Sequence, residues 1–302
     1  MTLMALSVAI VSTTACERSE EHGPKASKVK ENAPAVKKLE ELTLACGNGA
    51  SLKLVLIPAG EFVMGADETP EQVVRKIDNH VPDLFQVNPD FFKREQPQHR
   101  VRITKPFYMG VYAMTQAQYE AVMGVNPSHF KGVNNPVEMV SWNDAVEFCK
   151  KLSAKTGQTV RLPTEAEWEY ACRAGTTTPF NTGETISTDQ ANYIGNFTYG
   201  SGRKGENRKK TVAVGSFAAN GFGLYDMHGN VWEWCQDWYD EGYYKNSPTE
   251  DPLGPEKGQG RVLRGGSWAV GPWYCRSALC RGSAPAGGLG DIGFRVVCVP
   301  RP

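Results

Sequence analysis

The sequence has little of three features that would direct attention to nucleic acid, a membrane or zinc. It has no net charge, because 33 Lys and Arg residues balance 33 Asp and Glu residues. No overall field would therefore hold it on a phosphate backbone or an anionic bilayer. It has no apolar run of the roughly 20 residues that a membrane-spanning helix needs. Its five histidines are scattered without an HxxxH or HxH pair, so neither nucleic acid nor histidine-bound zinc is expected.

The chain also lacks long uninterrupted regular elements and any repeat of 20 to 50 residues. Its 31 glycines and 19 prolines stand between short apolar runs, and both residue types break helices and strands. A few short helices on a small set of antiparallel strands is an α+β arrangement. We therefore expect one loop-rich α+β domain.

The amino terminus has the pattern of an export signal. Residues 2–15 are apolar but too short to span a bilayer, and the small residues up to Ala15 precede Cys16 as in a bacterial lipoprotein cleavage box. No Lys or Arg precedes the run, and Thr13 stands where such boxes usually carry Leu. We predict export to a bacterial cell envelope with a lipid anchor at Cys16; a plain secretory signal and a periplasmic protein are the alternative.

Composition divides the chain into three parts. Residues 1–16 form the predicted signal peptide and lipoprotein box. Residues 17–43 are almost all charge, Ala and Pro, too little apolar surface to offset the entropy of ordering, so we predict a disordered linker. Residues 44–302 form the predicted folded domain.

Three helices are predicted by a hydroxyl residue followed three positions later by an acidic or amide residue, which is a capping box. They begin at Thr115, Ser141 and Thr164, and the last two bury Cys149 and Cys172 at helical spacing. A short helix is expected at residues 71–77. Strand-like segments, the first read as a hairpin, are residues 52–64, 101–112, 211–217, 224–234, 261–268 and 292–299.

The chain has eight cysteines, and export makes disulfides possible. Setting Cys16 aside leaves an odd number, so at least one thiol is unpaired within the chain. The role of Cys46 is left open.

Six ordered motifs resemble the formylglycine-generating enzyme, or sulfatase-modifying factor, family. They occupy residues 62–65, 161–175, 220–234, 261–268, 275–278 and 293–295. The resemblance covers residues 52–299 and implies a variant of the C-type lectin fold with little regular secondary structure. It also implies disulfides between Cys149 and Cys298 and between Cys172 and Cys280; the alternative is that these are buried thiols packed as small apolar groups.

The resemblance further implies two structural calcium sites built from oxygen ligands. The first would use the side chains of Asp226 and Glu233 with the carbonyls of Gly229 and Val231. The alternative is that the carboxylates only cap turns.

The second implied calcium site would use the side chains of Asn192 and Glu206 with the carbonyls of Tyr193 and Arg208. Glu206 stands where the family has Asp, which implies a looser site. Turn capping is again the alternative.

In the family, two cysteines five residues apart hold a Cu(I) ion, which activates oxygen to convert a sulfatase cysteine into formylglycine. Thiolates are soft ligands that select Cu(I). Cys275 matches the second cysteine and Ser267 matches an active-site serine, but Val270 stands in place of the first cysteine. Cys235 could complete the pair, or it could form a third disulfide with Cys275, or the substrate's own cysteine could supply the second sulfur.

Two functions remain open. The chain could oxidise a cysteine in a sulfatase peptide with copper and oxygen. It could instead be a non-catalytic, lectin-like module that binds peptide or carbohydrate at the cell envelope, with aromatic lining from Trp232, Trp234, Trp268 or Trp273. For each tryptophan taken singly, core packing is the simpler expectation.

Overall fold

The computed structural model describes residues 40–77 and 87–300, which lie within one compact unit. The predicted signal peptide and lipoprotein box, including Cys16, lie outside the described residues. So does the predicted linker up to residue 39. Within the described ranges, no helix is both long and apolar enough to cross a membrane.

The helices are short and begin where hydroxyl side chains cap them. The described residues contain four α-helices: α1 (Pro70–Arg75), α2 (Gln116–Met123), α3 (Trp142–Thr156) and α4 (Glu165–Arg173). The predicted starts at Thr115, Ser141 and Thr164 are confirmed, because each residue is the N-cap of its helix and forms a complete capping box. A fourth capping box at Thr69 starts α1.

The strands form three small sheets. In chain order they are β1 (Glu41–Gly47), β2 (Ala50–Ile57), β3 (Gly60–Met64), β4 (His99–Ile103), β5 (Phe107–Gly110), β6 (Thr159–Arg161), β7 (Trp232–Trp238), β8 (Arg261–Arg264), β9 (Cys280–Ser283), β10 (Ile292–Gly293) and β11 (Val297–Val299). The first sheet has the order β1-β2-β5-β11-β6, the second β10-β7-β8-β9, and the third pairs β3 with β4. Neighbours are antiparallel except β10 and β7. The predicted loop-rich α+β architecture is confirmed.

Four predictions differ from the structure. Residues 52–64 are not a hairpin, because β2 pairs with β1 and β5 whereas β3 pairs with β4. Residues 211–217 form an irregular segment with one turn rather than a strand. Of the predicted strand 224–234, only residues 232–234 lie in a strand, β7. Strand β1 begins at Glu41, inside the predicted linker 17–43, because its pairing with β2 buries Leu44 and Cys46.

Two hydrophobic clusters lie on opposite faces of the second sheet. Successive residues of a strand point to opposite faces, so Trp234 and its partner Leu263 join the first cluster. Cys235 and Val262 join the second cluster, which also contains residues of α4. The sheet therefore separates the two clusters at this point.

Helix α4 is buried on all sides although it carries four charged residues. Glu169 lies 2.7 Å from Arg173 and 2.6 Å from Arg264 of β8, and all three side chains are almost fully buried. The indole N–H of Trp168 donates to Glu233 at 2.7 Å, and Glu233 also pairs with Arg295. Ion pairs thus neutralise the charge that this helix brings into the interior.

We expect Arg264→Met to lower the free energy of unfolding by at least about 3 kcal/mol, because it leaves the carboxylate of Glu169 buried with one fewer counter-charge. The matched variant Arg203→Met breaks an exposed pair with Asp189 and should cost less than about 1 kcal/mol. Urea denaturation of both variants measures the difference. Equal losses would contradict the assigned role of the buried pair.

Candidate functional site

A glycine turn after β8 brings Cys275 close to the backbone. Gly265 and Gly266 have positive φ angles of 92° and 74°, which favour glycine. A Cβ at Gly266 would lie 2.5 Å from the Sγ of Cys275. The glycine is therefore needed for the close approach of this side chain to the turn.

Ser267 follows the turn and is held by an acidic partner. Its hydroxyl donates to Asp291 Oδ2 at 2.8 Å and accepts from the Ala269 N–H at 3.3 Å. Asp291 is a site residue that the sequence motifs did not predict. The last motif begins at Gly293, and the position of Asp291 two residues before it was the one sequence feature that could have indicated this residue.

Cys275 ends a short 3₁₀ helix, Pro272–Cys275, and is fully buried. Its Sγ contacts the carbonyl oxygen of Gly271 at 4.0 Å and also interacts with the backbone of Ser267. Burial raises the pKa of the Cys275 thiol well above its ordinary value, so the thiol stays protonated at neutral pH.

His228 is a second residue that sequence analysis did not single out. The backbone N–H of Asn181 donates to its Nε2 at 3.0 Å. That leaves Nδ1 to carry the ring proton, which it donates to the Cys275 carbonyl at 2.7 Å. Burial lowers the pKa of His228 to about 4. The neutral ring therefore fixes the backbone of Cys275, and neither nitrogen is available as a base.

In the described part of the chain, neither of the two positions expected to partner Cys275 brings a thiol to it. Val270 packs at the edge of the first cluster, and its carbonyl accepts from the Ile194 N–H at 2.9 Å. Cys235 faces the second cluster, across the sheet from Cys275. Because Val270 has no sulfur and Cys235 faces the other cluster, the two-thiolate copper site of the family does not fit the residues present.

The cysteines expected to form disulfides share clusters in the expected pairs. Cys149 and Cys298 belong to the first cluster, whereas Cys172 and Cys280 belong to the second, together with Cys235. Burial raises the pKa of Cys149 and of Cys172 to about 12. The two pairings stay predictions.

Cys46, whose role was left open, is buried in the first cluster. Burial raises the pKa of its thiol to about 11. It is therefore a small apolar side chain of the core at neutral pH.

The first predicted calcium site contains one oxygen without a partner. Asp226 Oδ2 accepts from the Gly215 N–H at 2.7 Å, but the buried Oδ1 has no hydrogen bond. Burial raises the pKa of Asp226 to about 6. Glu233, in contrast, is already neutralised by Arg295. A cation fits Asp226, with the carbonyls of Gly229 and Val231 as its further predicted ligands.

The second predicted site also has an unpartnered oxygen, at the buried Oδ1 of Asn192. The side chain of Glu206 is 68% exposed and lies 3.2 Å from Arg208. Tyr193 is fully buried. Asn192 thus fits a cation, whereas Glu206 is directed to its arginine partner near the surface.

Of the four tryptophans expected to line an aromatic cleft, one is partly exposed and three are buried. Trp232, Trp234 and Trp273 are buried in the first cluster. Trp268 is partly exposed, and its ring meets that of Phe130 edge-on at 5.3 Å. We call Ser267, Trp268 and Asp291 the Ser267 corner.

The loop-rich α+β architecture is that of a variant C-type lectin fold. Two solved structures share it. The variable protein 1 of Treponema denticola is 27% identical with a TM-score of 0.69, and covers 86% of this chain and 99% of that one. PvdO from Pseudomonas aeruginosa is 30% identical with a TM-score of 0.68, and covers 86% and 98%.

Sequence comparison agrees with the fold. Residues 46–299 match the model of the sulfatase-modifying factor enzyme 1-like domain. The formylglycine-generating enzyme of Streptomyces coelicolor is 34% identical over 281 residues, which cover 80% of this chain and 87% of that protein. The chain belongs to the formylglycine-generating enzyme, or sulfatase-modifying factor, family.

We expect calcium to raise the melting temperature of the wild-type chain by several degrees at about 100 times the dissociation constant, since binding to the folded state adds about 2.7 kcal/mol. Asp226→Asn should lose most of that gain, because it removes the negative charge of the carboxylate whose Oδ1 has no hydrogen bond. The exposed Asp189→Asn is the control. An equal gain in all three proteins would argue against a site at Asp226.

We expect Val270→Cys to acquire tight Cu(I) binding that the wild type lacks, because it restores the cysteine spacing of the family. Val270→Ser, a matched change without sulfur, should resemble the wild type. Anaerobic titration of the reduced proteins against a Cu(I) chelator measures the affinity. Tight, Cys275-dependent binding by the wild type would contradict the assignment.

Proposed function

We propose that this chain binds a cysteine-containing peptide segment, a sulfatase segment being the first candidate, without carrying out the copper-dependent oxidation known in its family. The observation that carries the proposal is the isolation of Cys275. Its thiol is fully buried, Val270 occupies the position of its partner, and Cys235 lies across the sheet. A linear two-sulfur copper site needs two thiolates, and this arrangement offers the sulfur of Cys275 without a partner at position 270.

The Ser267 corner supports the binding part of the proposal. Ser267 is oriented by Asp291, and the adjacent Trp268 is partly exposed with its indole N–H bonded to the Gly290 carbonyl at 3.0 Å. An aromatic face beside oriented polar groups is a common lining of ligand sites. The corner is therefore the proposed place of peptide contact.

Oxidation of a peptidyl cysteine is the competing function. Copper would need a second sulfur ligand beside Cys275. The remaining candidate for that ligand is the cysteine of the substrate peptide. The burial of Cys275 opposes that route, because a peptide sulfur would have to reach a side chain that has no exposed surface.

Export and anchoring belong to the same proposal. A lipid anchor at Cys16 would hold the domain at the bacterial cell envelope, and residues 17–43 would supply most of the tether. Calcium at Asp226 and Asn192 would stabilise the loops that carry the motifs around the site.

We expect a labelled peptide carrying a sulfatase-type cysteine motif to bind in fluorescence anisotropy, and to keep its mass after incubation with protein, Cu(I) and oxygen. Trp268→Ala should weaken binding by about 1 to 3 kcal/mol, as loss of a large aromatic contact does. Trp238→Ala, remote from the corner, is the control. Mass loss by aldehyde formation would refute the non-catalytic assignment, and absence of binding would refute peptide recognition.

A further inference from the structure

A cavity of about 290 Å³ lies between helix α3 and the segments that contain β6 and β7. Helix α3 contributes one face to it, because Trp142, Val146, Cys149 and Lys150 recur at helical spacing and line the same space. No residue of the Ser267 corner lines it. We call this space the Trp142 cavity, and the proposed peptide site does not account for it.

The walls of the Trp142 cavity are mostly apolar. Cys149, Val160 and Leu162 are buried, whereas Trp142 and Val146 are partly exposed. Covering apolar surface that still meets water is favourable. Sites for small molecules are typically concave and apolar with a few polar groups, and they range from about 300 to 1,000 Å³. The size of this cavity therefore suits a ligand at the small end of that range.

The aromatic wall of the cavity is held in place by the fold. The indole N–H of Trp142 donates to the Cys235 carbonyl at 2.9 Å. The guanidinium of Arg261 lies 3.9 Å from the centre of the Trp142 ring and 3.4 Å from that of Trp238, and it donates to the Gln236 carbonyl at 2.7 Å. A wall that is already ordered loses little entropy when a ligand binds against it.

Two polar side chains that line the cavity have no partner in the protein. Among the described residues, none forms an ion pair with Lys150, and none hydrogen-bonds to the side-chain amide of Gln236. The third polar side chain is committed, because Arg161 binds both carboxylate oxygens of Glu167 at 2.7 Å. The ammonium group of Lys150 and the amide of Gln236 thus remain available to a ligand.

The charges around the cavity select an anion. No Asp or Glu of the described residues lines it, whereas Lys150 and Arg161 do. An organic cation would be repelled by Lys150 and would find no counter-charge. A carboxylate would gain a charge-assisted hydrogen bond from the Lys150 ammonium group, and the amide of Gln236 can donate a second one.

We propose that the Trp142 cavity binds a small aromatic carboxylate. The ring of the ligand packs against Trp142, Val146 and Val160, since aromatic rings favour offset or edge-on contact with an indole. The carboxylate pairs with Lys150. This site is independent of peptide recognition at the Ser267 corner, and neither depends on the other.

A simple probe tests binding. In the full-length protein labelled with ¹⁵N at the tryptophan indoles, sodium 3-phenylpropionate should shift the Trp142 resonance saturably, with a dissociation constant of about 1 mM or less. Absence of that resonance from Trp142→Phe assigns it. The neutral 3-phenylpropanamide should bind at least about threefold more weakly, as loss of an exposed ion pair predicts, and sodium acetate should cause no shift. A Trp142 resonance that does not move would overturn the proposal, as would equal affinity for acid and amide.

A pair of adjacent lysines tests the position of the carboxylate. Lys150→Gln should abolish the preference for the acid over the amide. Lys151→Gln, an exposed neighbour that does not line the cavity, should keep it, and so should Lys150→Arg. All three changes are at exposed positions, so the fold is retained. A preference that persists in Lys150→Gln would reject Lys150 as the partner and with it the proposed site.

Filling the cavity tests its location. Val146→Phe occupies part of the volume and should abolish the binding of 3-phenylpropionate, while the melting temperature reports whether the variant is folded. Undiminished binding in folded Val146→Phe would place the ligand elsewhere and overturn the assignment. Sedimentation equilibrium addresses a second copy of the chain as the occupant. A wild-type dimer that dissociates in Val146→Phe, without binding of 3-phenylpropionate, would assign the cavity to a protein interface instead.

Discussion

The buried ion pair between Glu169 and Arg264 is the interaction on which the rest of this structure depends. Helix α4 lies in the interior on every side, so its carboxylates must be neutralised by side chains from distant segments. Arg264 does so from the last residue of β8, and the glycine turn and Ser267 follow it directly in the chain. The ion pair therefore also fixes the starting point of the candidate site.

Local hydrogen-bond patterns were predicted well, and non-local pairing was not. The helix starts at Thr115, Ser141 and Thr164 follow from side chains three residues apart, which are visible in sequence. Strand partners were missed for residues 52–64, because alternation of apolar residues reports which face is buried and not which strand lies alongside. The irregular segment at residues 211–217 has no alternation of burial to mark it.

The candidate site shows the same division. Motif spacing located Ser267 and Cys275. It also showed that Val270 stands where the family has the first cysteine. The residues that orient them, His228 and Asp291, come from segments whose proximity only the fold creates.

The second sheet determines which cysteine side chains can contact one another. Disulfide exchange requires direct attack of a thiolate on a sulfur atom. Cys275 belongs to the cluster on one side of the sheet, whereas Cys235 and Cys280 belong to the cluster on the other. The sheet thus keeps the thiol of Cys275 out of direct contact with the thiols of Cys235 and Cys280.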